Sequence, residues 1–308
     1  MTDVRGEDPA RWGHSLANLR EILVALFDAV GATSVAEVGA YAGDLTRDLM
    51  TWAEGAGAQV IAVDPAPQPE LIQLSESRGD LQLIRKPSLD AVPDLPAVDA
   101  VLIDGDHNYY TVSEELRLID ERAPGPRIPL LMLHDVGWPH GRRDAYWNPQ
   151  RIPEEHRQPT AERPFIFPGE PGVVDAGMPM YAAAEREGGS RNGVLTALED
   201  FLDRRDDLRL ATLPPFFGFA VVWHRDVPWA QALAEFVEPW DRNPVLERLE
   251  ANRVYHLATA HTRSQKLKWA TAQVKSRQEE NAMLRRLVEE REGELERLRS
   301  QRSRQGTA

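Results

Sequence analysis

The chain is 308 residues long, 42% hydrophobic and 28% charged, and it contains no cysteine. This composition excludes a wholly disordered chain, and the missing thiols exclude disulfides, zinc–thiolate centres, iron–sulfur clusters and cysteine catalysis. The net charge of −13 is uneven: 15 Lys and Arg face 10 Asp and Glu from Asp241 onward, which leaves 21 against 39 in the first 240 residues, an acidic body that argues against nucleic acid as a partner.

The N-terminus, MTDVRGEDPARWGHS, lacks the apolar stretch of a secretory signal. No apolar run reaches the ~18–20 residues that cross a bilayer, so the expected location is cytoplasmic. Residues 1–33 are expected to form an N-terminal helical segment, because apolar residues recur at helical spacing from Leu16 to Val30 and Gly31 stops the run. Short β-branched runs then alternate with helical stretches. Strands are predicted over Ser34–Val38, Gln59–Val63, Leu81–Ile84, Ala100–Ile103 and Ile128–Leu133, with helices over Leu45–Glu54, Glu70–Ser77 and Val112–Glu121. A helix over Gly193–Arg204 leads to Leu208–Leu213 and Gly218–Trp223, an antiparallel pair joined through Pro214 and Pro215. The fold class is therefore α/β: a doubly wound, mostly parallel seven-stranded sheet over residues 34–226, with an antiparallel final strand.

Two regions break this alternation. Residues 137–192 are rich in Pro, Gly, Arg and aromatic residues and have no sustained periodicity. They begin directly after the fifth strand, where α/β proteins bind ligands, so they are expected to cover a substrate. Residues 227–308 are expected to be a helical extension. From Leu267 a seven-residue repeat gives Leu267, Val274, Asn281, Val288 and Leu295 at one position and Ala270, Arg277, Leu284, Arg291 and Leu298 at its partner. This imperfect heptad seam, with Asn281 at an a position, points to a two-stranded coiled coil and hence to a homodimer or higher oligomer.

Chemistry concentrates at the strand exits. Glu37-Val38-Gly39-Ala40-Tyr41-Ala42-Gly43 closes the first strand and precedes a helix, so the glycines let backbone approach a ligand and the helix start offers free N–H groups. The leading acid suits a ligand with positive charge. Asp64 ends the second strand about twenty residues on, where a carboxylate grips a ribose diol. Together these features indicate an adenosine-containing ligand. Asp104, Asp106 and His107 follow the fourth strand, and His134 and Asp135 the fifth, so neighbouring parallel strands bring acids together that a cation would relieve.

Glu37 to Gly43, Asp64, and the run LIDGDHNYY followed by LMLHDV resemble the motifs of class I S-adenosylmethionine-dependent methyltransferases. The second pair is similar to the metal-dependent O-methyltransferases of the catechol and caffeoyl-CoA types, and to the group of macrolide-sugar O-methyltransferases and cephalosporin-hydroxylase-like proteins. The resemblance spans Val35–His134 well and extends loosely to Trp223. It implies a Rossmann-like fold in which Glu37, Gly39, Ala40, Tyr41 and Gly43 line the methionine and ribose of the donor, and Asp64 holds the ribose hydroxyls. Ser88 would border the adenine, with Asp104 also touching the donor site. Asp104 corresponds to the first metal carboxylate, and His134 with Asp135 to a pair that is commonly Asp-Asn or Asp-Asp. His134 is a departure that favours a borderline metal over Mg²⁺, or an acid–base role. His107 stands where the catechol-type enzymes are thought to use a lysine base.

The expected activity is methyl transfer from S-adenosylmethionine to a hydroxyl of a small molecule, sugar or glycan, with Mg²⁺ or Mn²⁺ assisting. The alternatives are a metal-independent or N-directed methyltransferase, and an inactive Rossmann-like scaffold dimerised through its tail.

Overall fold

The structure, a computed structural model, describes residues 13–305. Residues 1–12 of the expected N-terminal segment lie outside the described residues. The described part begins with a 3-10 turn, Leu16–Leu19, capped by Ser15, and continues as α1 (Arg20–Val30), which Gly31 ends in the left-handed conformation. The structure divides into two compact units at Ala258 and Thr259.

In the first unit, strands and helices alternate: β1 (Ser34–Val38), α2 (Asp44–Ala56), β2 (Gln59–Val63), α3 (Pro69–Ser77), β3 (Leu81–Ile84), α4 (Ser88–Ala91), β4 (Ala100–Ile103), α5 (Tyr109–Arg122) and β5 (Leu130–His134). After residues 137–192 the alternation resumes with α6 (Val194–Leu202). The predicted strand Ile128–Leu133 is shifted: pairing starts at Leu130 and runs one residue further, to His134. The last pair, Leu208–Leu213 and Phe219–His224, completes a seven-stranded sheet. Beside β5 lies Phe219–His224, antiparallel to it, and the Leu208–Leu213 strand forms the edge. From that edge the order continues through β5, β4, β1, β2 and β3, all parallel.

Burial on both faces explains the near-continuous apolar strands. On β5, Leu130 and Met132 join one core with Leu23, Phe27 and Leu49, while Leu131 and Leu133 join the other with Val112, Leu116 and Leu198. The period of two along a strand sends successive side chains into opposite cores. Chain order reverses between β1 and β4, so their connections leave in opposite directions and open a crevice at the carboxyl ends of these strands.

Residues 137–192 are more structured than their sequence suggests. They contain two short antiparallel ribbons, β6 (Thr160–Glu162) with β9 (Ala182–Ala184), and β7 (Phe165–Ile166) with β8 (Met178–Pro179). With these included, the edge pair is β10 (Leu208–Leu213) and β11 (Phe219–His224). Strands of two or three residues leave no periodic trace, which is why the sequence gives no sign of them. Two helices close the chain, α7 (Ala230–Val237) and α8 (Pro244–Gln305). The part of α8 up to Ala258 belongs to the first unit, with Val254 and Ala258 buried. In the second unit, the seam residues Leu267, Val274, Leu284, Val288, Leu295 and Leu298 are all exposed. No described helix is long and apolar enough to cross a membrane.

Candidate active site

The exit of β1 is a turn that only glycine permits. Gly39 has φ of 93°, and a Cβ there would overlap the Asp104 carbonyl. Tyr41 also has positive φ, 44°, which is uncommon for a residue with a side chain. Asp64 holds it there: the Tyr41 N–H donates to one carboxylate oxygen at 2.7 Å, and the Ala66 N–H donates to the other at 2.7 Å. The acid that ends β2 thus fastens two turns. Each of its oxygens keeps lone-pair capacity for a ligand hydroxyl.

A cavity of about 500 Å³ opens beside these turns. Gly39, Tyr41, Asp64, Ser88, Asp104 and His107 all line it, so six of the expected residues share one wall system. Glu37, Ala40 and Gly43 do not line it. Glu37 is 3% exposed, and burial lifts its pKa to about 8 against the opposing hydrogen bond from Thr46 Oγ1 at 2.6 Å. Gly43, at φ 76°, precedes α2 and packs against Leu71. Opposite walls come from the segment after β5: Trp147, Asn148, Arg151 and Ile152. That segment is tied down by the Trp147 N–H donating to Asp106 at 2.9 Å and by Arg151 pairing with Asp90 at 2.6 Å. Burial raises the pKa of Asp106.

Beside the cavity, side chains converge from β4 and β5. His134 Nδ1 lies 3.0 Å from Asp104 Oδ1 and 3.7 Å from Asp135 Oδ2, while Nε2 lies 2.7 Å from the Phe216 carbonyl. A carbonyl only accepts, so Nε2 carries a hydrogen, and Nδ1 faces carboxylate. Burial disfavours charge on this ring, but Asp135 and Asp104 outweigh it and carry the pKa up to about 10. The two carboxylates thus favour positive charge at this position, whether a proton on Nδ1 or a cation in its place. Burial would raise Asp135 in turn, yet the adjoining His134 ring holds it below the usual carboxylate range.

His107 Nδ1 lies 3.2 Å from Asp135 Oδ2, and its ring stacks on His140 with centroids 4.6 Å apart. Burial pushes His140 down to about 3, so this ring is neutral. Ligand-capable atoms of Asp104, His134 and Asp135 lie within 4.8 Å of one another, as do those of His107, Asp135 and His140. The predicted ligands thus come together. His140 was visible in the sequence only as one polar residue of the long segment, and nothing in its spacing signals that the loop folds it back onto His107.

Residues 36–136 match the family model described as a methyltransferase domain. The stretch from within β1 to just past β5 is thus similar in sequence to methyltransferase domains. Among solved structures, the chain resembles the SAH-bound methyltransferase PaMTH1 of Podospora anserina at 15% identity, over 72% of this chain and 84% of that one, with a TM-score of 0.45. A putative caffeoyl-CoA O-methyltransferase from Staphylococcus aureus is 10% identical over 67% of this chain and 83% of its own, at a TM-score of 0.42. A putative O-methyltransferase from Klebsiella pneumoniae is 14% identical over 68% and 81%, at 0.39. No curated protein matches the chain significantly in sequence.

Proposed function

We propose that this chain is an S-adenosylmethionine-dependent methyltransferase, which transfers the donor's methyl group to a hydroxyl oxygen of a small molecule, sugar or glycan at a site where Asp104, His134 and Asp135 hold a divalent cation. The observation that carries this reading is the three ligand-capable groups within 4.8 Å of one another, one of which, Asp104, also lines the donor cavity. Two carboxylates and one imidazole nitrogen form a mixed oxygen–nitrogen set, which suits Mn²⁺ or another borderline cation better than Mg²⁺. When bound, such a cation lowers the proton affinity of a hydroxyl oxygen beside it.

Within this reading, Asp64, Tyr41, Gly39 and Ser88 bind the donor. His107, with Nδ1–H turned to Asp135, offers Nε2 as base. The acceptor oxygen loses its proton to His107 and forms a bond to the methyl carbon. The carbon–sulfur bond breaks with its electrons going to sulfur, which leaves S-adenosylhomocysteine. Activity is expected to disappear in excess chelator and to return with Mn²⁺ or Mg²⁺, measured as labelled methyl transfer to hydroxylated acceptors.

A second, metal-independent reading has its own support. A proton on His134 Nδ1, between Asp104 and Asp135, offsets one of their two negative charges and so does part of the electrostatic work of a cation. Full activity in excess chelator would establish this reading and leave His107 as the base. Calorimetric titration with S-adenosylhomocysteine addresses the scaffold alternative, since no binding at millimolar ligand would favour it.

The tail supports a proposal about assembly. In the heptad frame set by Leu267, a parallel pair of tails brings Glu280 opposite Arg285 and Glu294 opposite Arg299 of a second copy, and Asn281 opposite itself. Arg277 and Arg291, at the d positions, are neutralised within their own chain by Glu280 at 3.1 Å and Glu294 at 2.7 Å. The proposed partner is a second copy of this chain, and the proposed setting is the cytoplasm.

A further inference from the structure

The carbonyl that orients His134 belongs to an unfavourable stretch of backbone. Phe216 and Phe217 adopt φ of 55° and 68°, a region residues with side chains seldom occupy. Backbone of this kind persists only where its surroundings over-determine it. Here the surroundings are a carboxylate on α8. Glu250 accepts the Phe216 N–H at 3.0 Å on one oxygen and the Phe217 N–H at 2.8 Å on the other. Arg253, three residues on, grips the same two oxygens at 2.7 Å each, sets its guanidinium 4.4 Å from the Phe217 ring centroid, and donates to the Gly13 carbonyl at 3.0 Å. From the other side the Gly137 N–H donates to the Phe217 carbonyl at 2.5 Å.

The Phe216 carbonyl is thereby fixed, and it receives Nε2–H of His134 at 2.7 Å, which turns Nδ1 toward Asp104 and Asp135. A ring nitrogen that ligates a cation depends on the partner of the other nitrogen for its tautomer and its aim. Glu250 itself does not belong to either ligand-capable group and does not line the donor cavity. Its four bonded donors include both N–H groups of the strained pair.

We propose that Glu250 is a positioning residue for the cation site: by holding Phe216 and Phe217 in the left-handed region it aims Nδ1 of His134 at the cation. The proposal rests on the reading of Asp104, His134 and Asp135 as ligands. It makes the strained loop between β10 and β11 part of the site, although no residue of that loop lines the donor cavity.

The test uses the full chain and three variants. Glu250→Gln replaces one accepting oxygen by a donor, Arg253→Gln loosens the carboxylate without removing it, and Val237→Ala opens a void in the apolar core away from this chain of bonds. Mn²⁺ affinity is read by electron paramagnetic titration, donor-site integrity by S-adenosylhomocysteine calorimetry, and the His134 Nε2–H by nitrogen-15 resonance of labelled histidine. Glu250→Gln is expected to weaken Mn²⁺ binding 10-fold or more, to leave S-adenosylhomocysteine affinity within about twofold, and to expose the His134 Nε2–H to exchange. Arg253→Gln is expected to show the same pattern more mildly, and decides the matter if Glu250→Gln does not fold. Val237→Ala is expected to lower Tm while changing neither Mn²⁺ affinity nor the resonance. Unchanged Mn²⁺ affinity together with an unchanged His134 resonance in the Glu250 and Arg253 variants overturns the proposal. Should the unaltered protein bind no Mn²⁺, the cation reading fails by itself. The resonance then decides alone: its loss in Glu250→Gln sustains the positioning role and its persistence ends it.

Discussion

The two halves of the crevice are built by different means. Around β1 and β2 the walls are largely backbone, shaped by Gly39 and Tyr41 at positive φ and fastened by one carboxylate, Asp64, that accepts two main-chain N–H groups. Around β4 and β5 ionisable side chains face each other: Asp104 and His107 on the cavity wall, with His134, Asp135 and His140 beside it. Backbone recognition needs only a short stretch with the right turn residues. The side-chain half needs partners from remote places, such as the Phe216 carbonyl for His134 and the Trp147 N–H for Asp106. A donor common to many reactions suits the first kind of wall, and a reaction-specific centre suits the second.

If this division holds, substitutions in the two halves separate turnover from donor affinity. Asp104→Asn is expected to bring labelled methyl transfer below detection while S-adenosylhomocysteine still binds in calorimetry. A comparable loss in both would merge the halves. His107→Ala is expected to lower kcat about 10²-fold or more, with the deficit shrinking at high pH as the acceptor ionises unaided; a pH-independent deficit would argue against a base. On the other side, Asp64→Ala is expected to weaken S-adenosylhomocysteine by about 1.5–3 kcal/mol, the scale of a hydrogen bond to a charged group. Unchanged affinity in a folded variant would refute its role.

Glu37 sharpens the contrast in stability rather than rate. Its folded pKa, about 8, lies above the ordinary 4.5 because of burial. The associated stability is fully present below about pH 4.5 and is lost as pH rises through about 8. Glu37→Gln is therefore expected to flatten the decline of unfolding free energy between pH 5 and 9, a difference on the order of a few kcal/mol at about 1.4 per pKa unit. Parallel pH curves from denaturant titration would rule this out. The smallest effect on the site is expected from deleting Leu267–Ala308: sedimentation should report a smaller assembly while S-adenosylhomocysteine affinity stays put. An unchanged assembly would show that the tail is a solvated helix.

The sheet was largely legible because doubly buried strands write themselves as apolar runs between turn residues, and the backbone-built half of the cavity because Gly39 and Asp64 sit at fixed offsets from strand ends. Asp104, His134 and Asp135 were also readable, since adjacent parallel strands place their exits together. What escaped was set by tertiary contact. His140 reaches His107 only because the chain after β5 turns back, and Trp147 and Arg151 reach the cavity through bonds to Asp106 and Asp90. The clasp of Glu250 on Phe216 and Phe217 spans 34 and 33 residues, and no local pattern encodes it.

The long segment after β5 is moored at its two ends. The Asp144 carboxylate takes the N–H groups of Tyr109 and Gly193, its own N–H goes to Asn192, and Asn192 in turn donates to the carbonyls of Arg186 and Gly188. Arg143, fully buried, spends its guanidinium on the carbonyls of Ala184 and Pro171. Entry and exit are thus knotted to one another and to the start of α5, while the stretch between them contributes Trp147 to Ile152 to the cavity. For protein engineering this is a cassette with a fixed socket. Grafts between Tyr146 and Glu185 that keep Arg143, Asp144 and Asn192 can exchange the Trp147–Ile152 wall of the cavity while leaving the sheet, and the turns after β1 and β2, as they are.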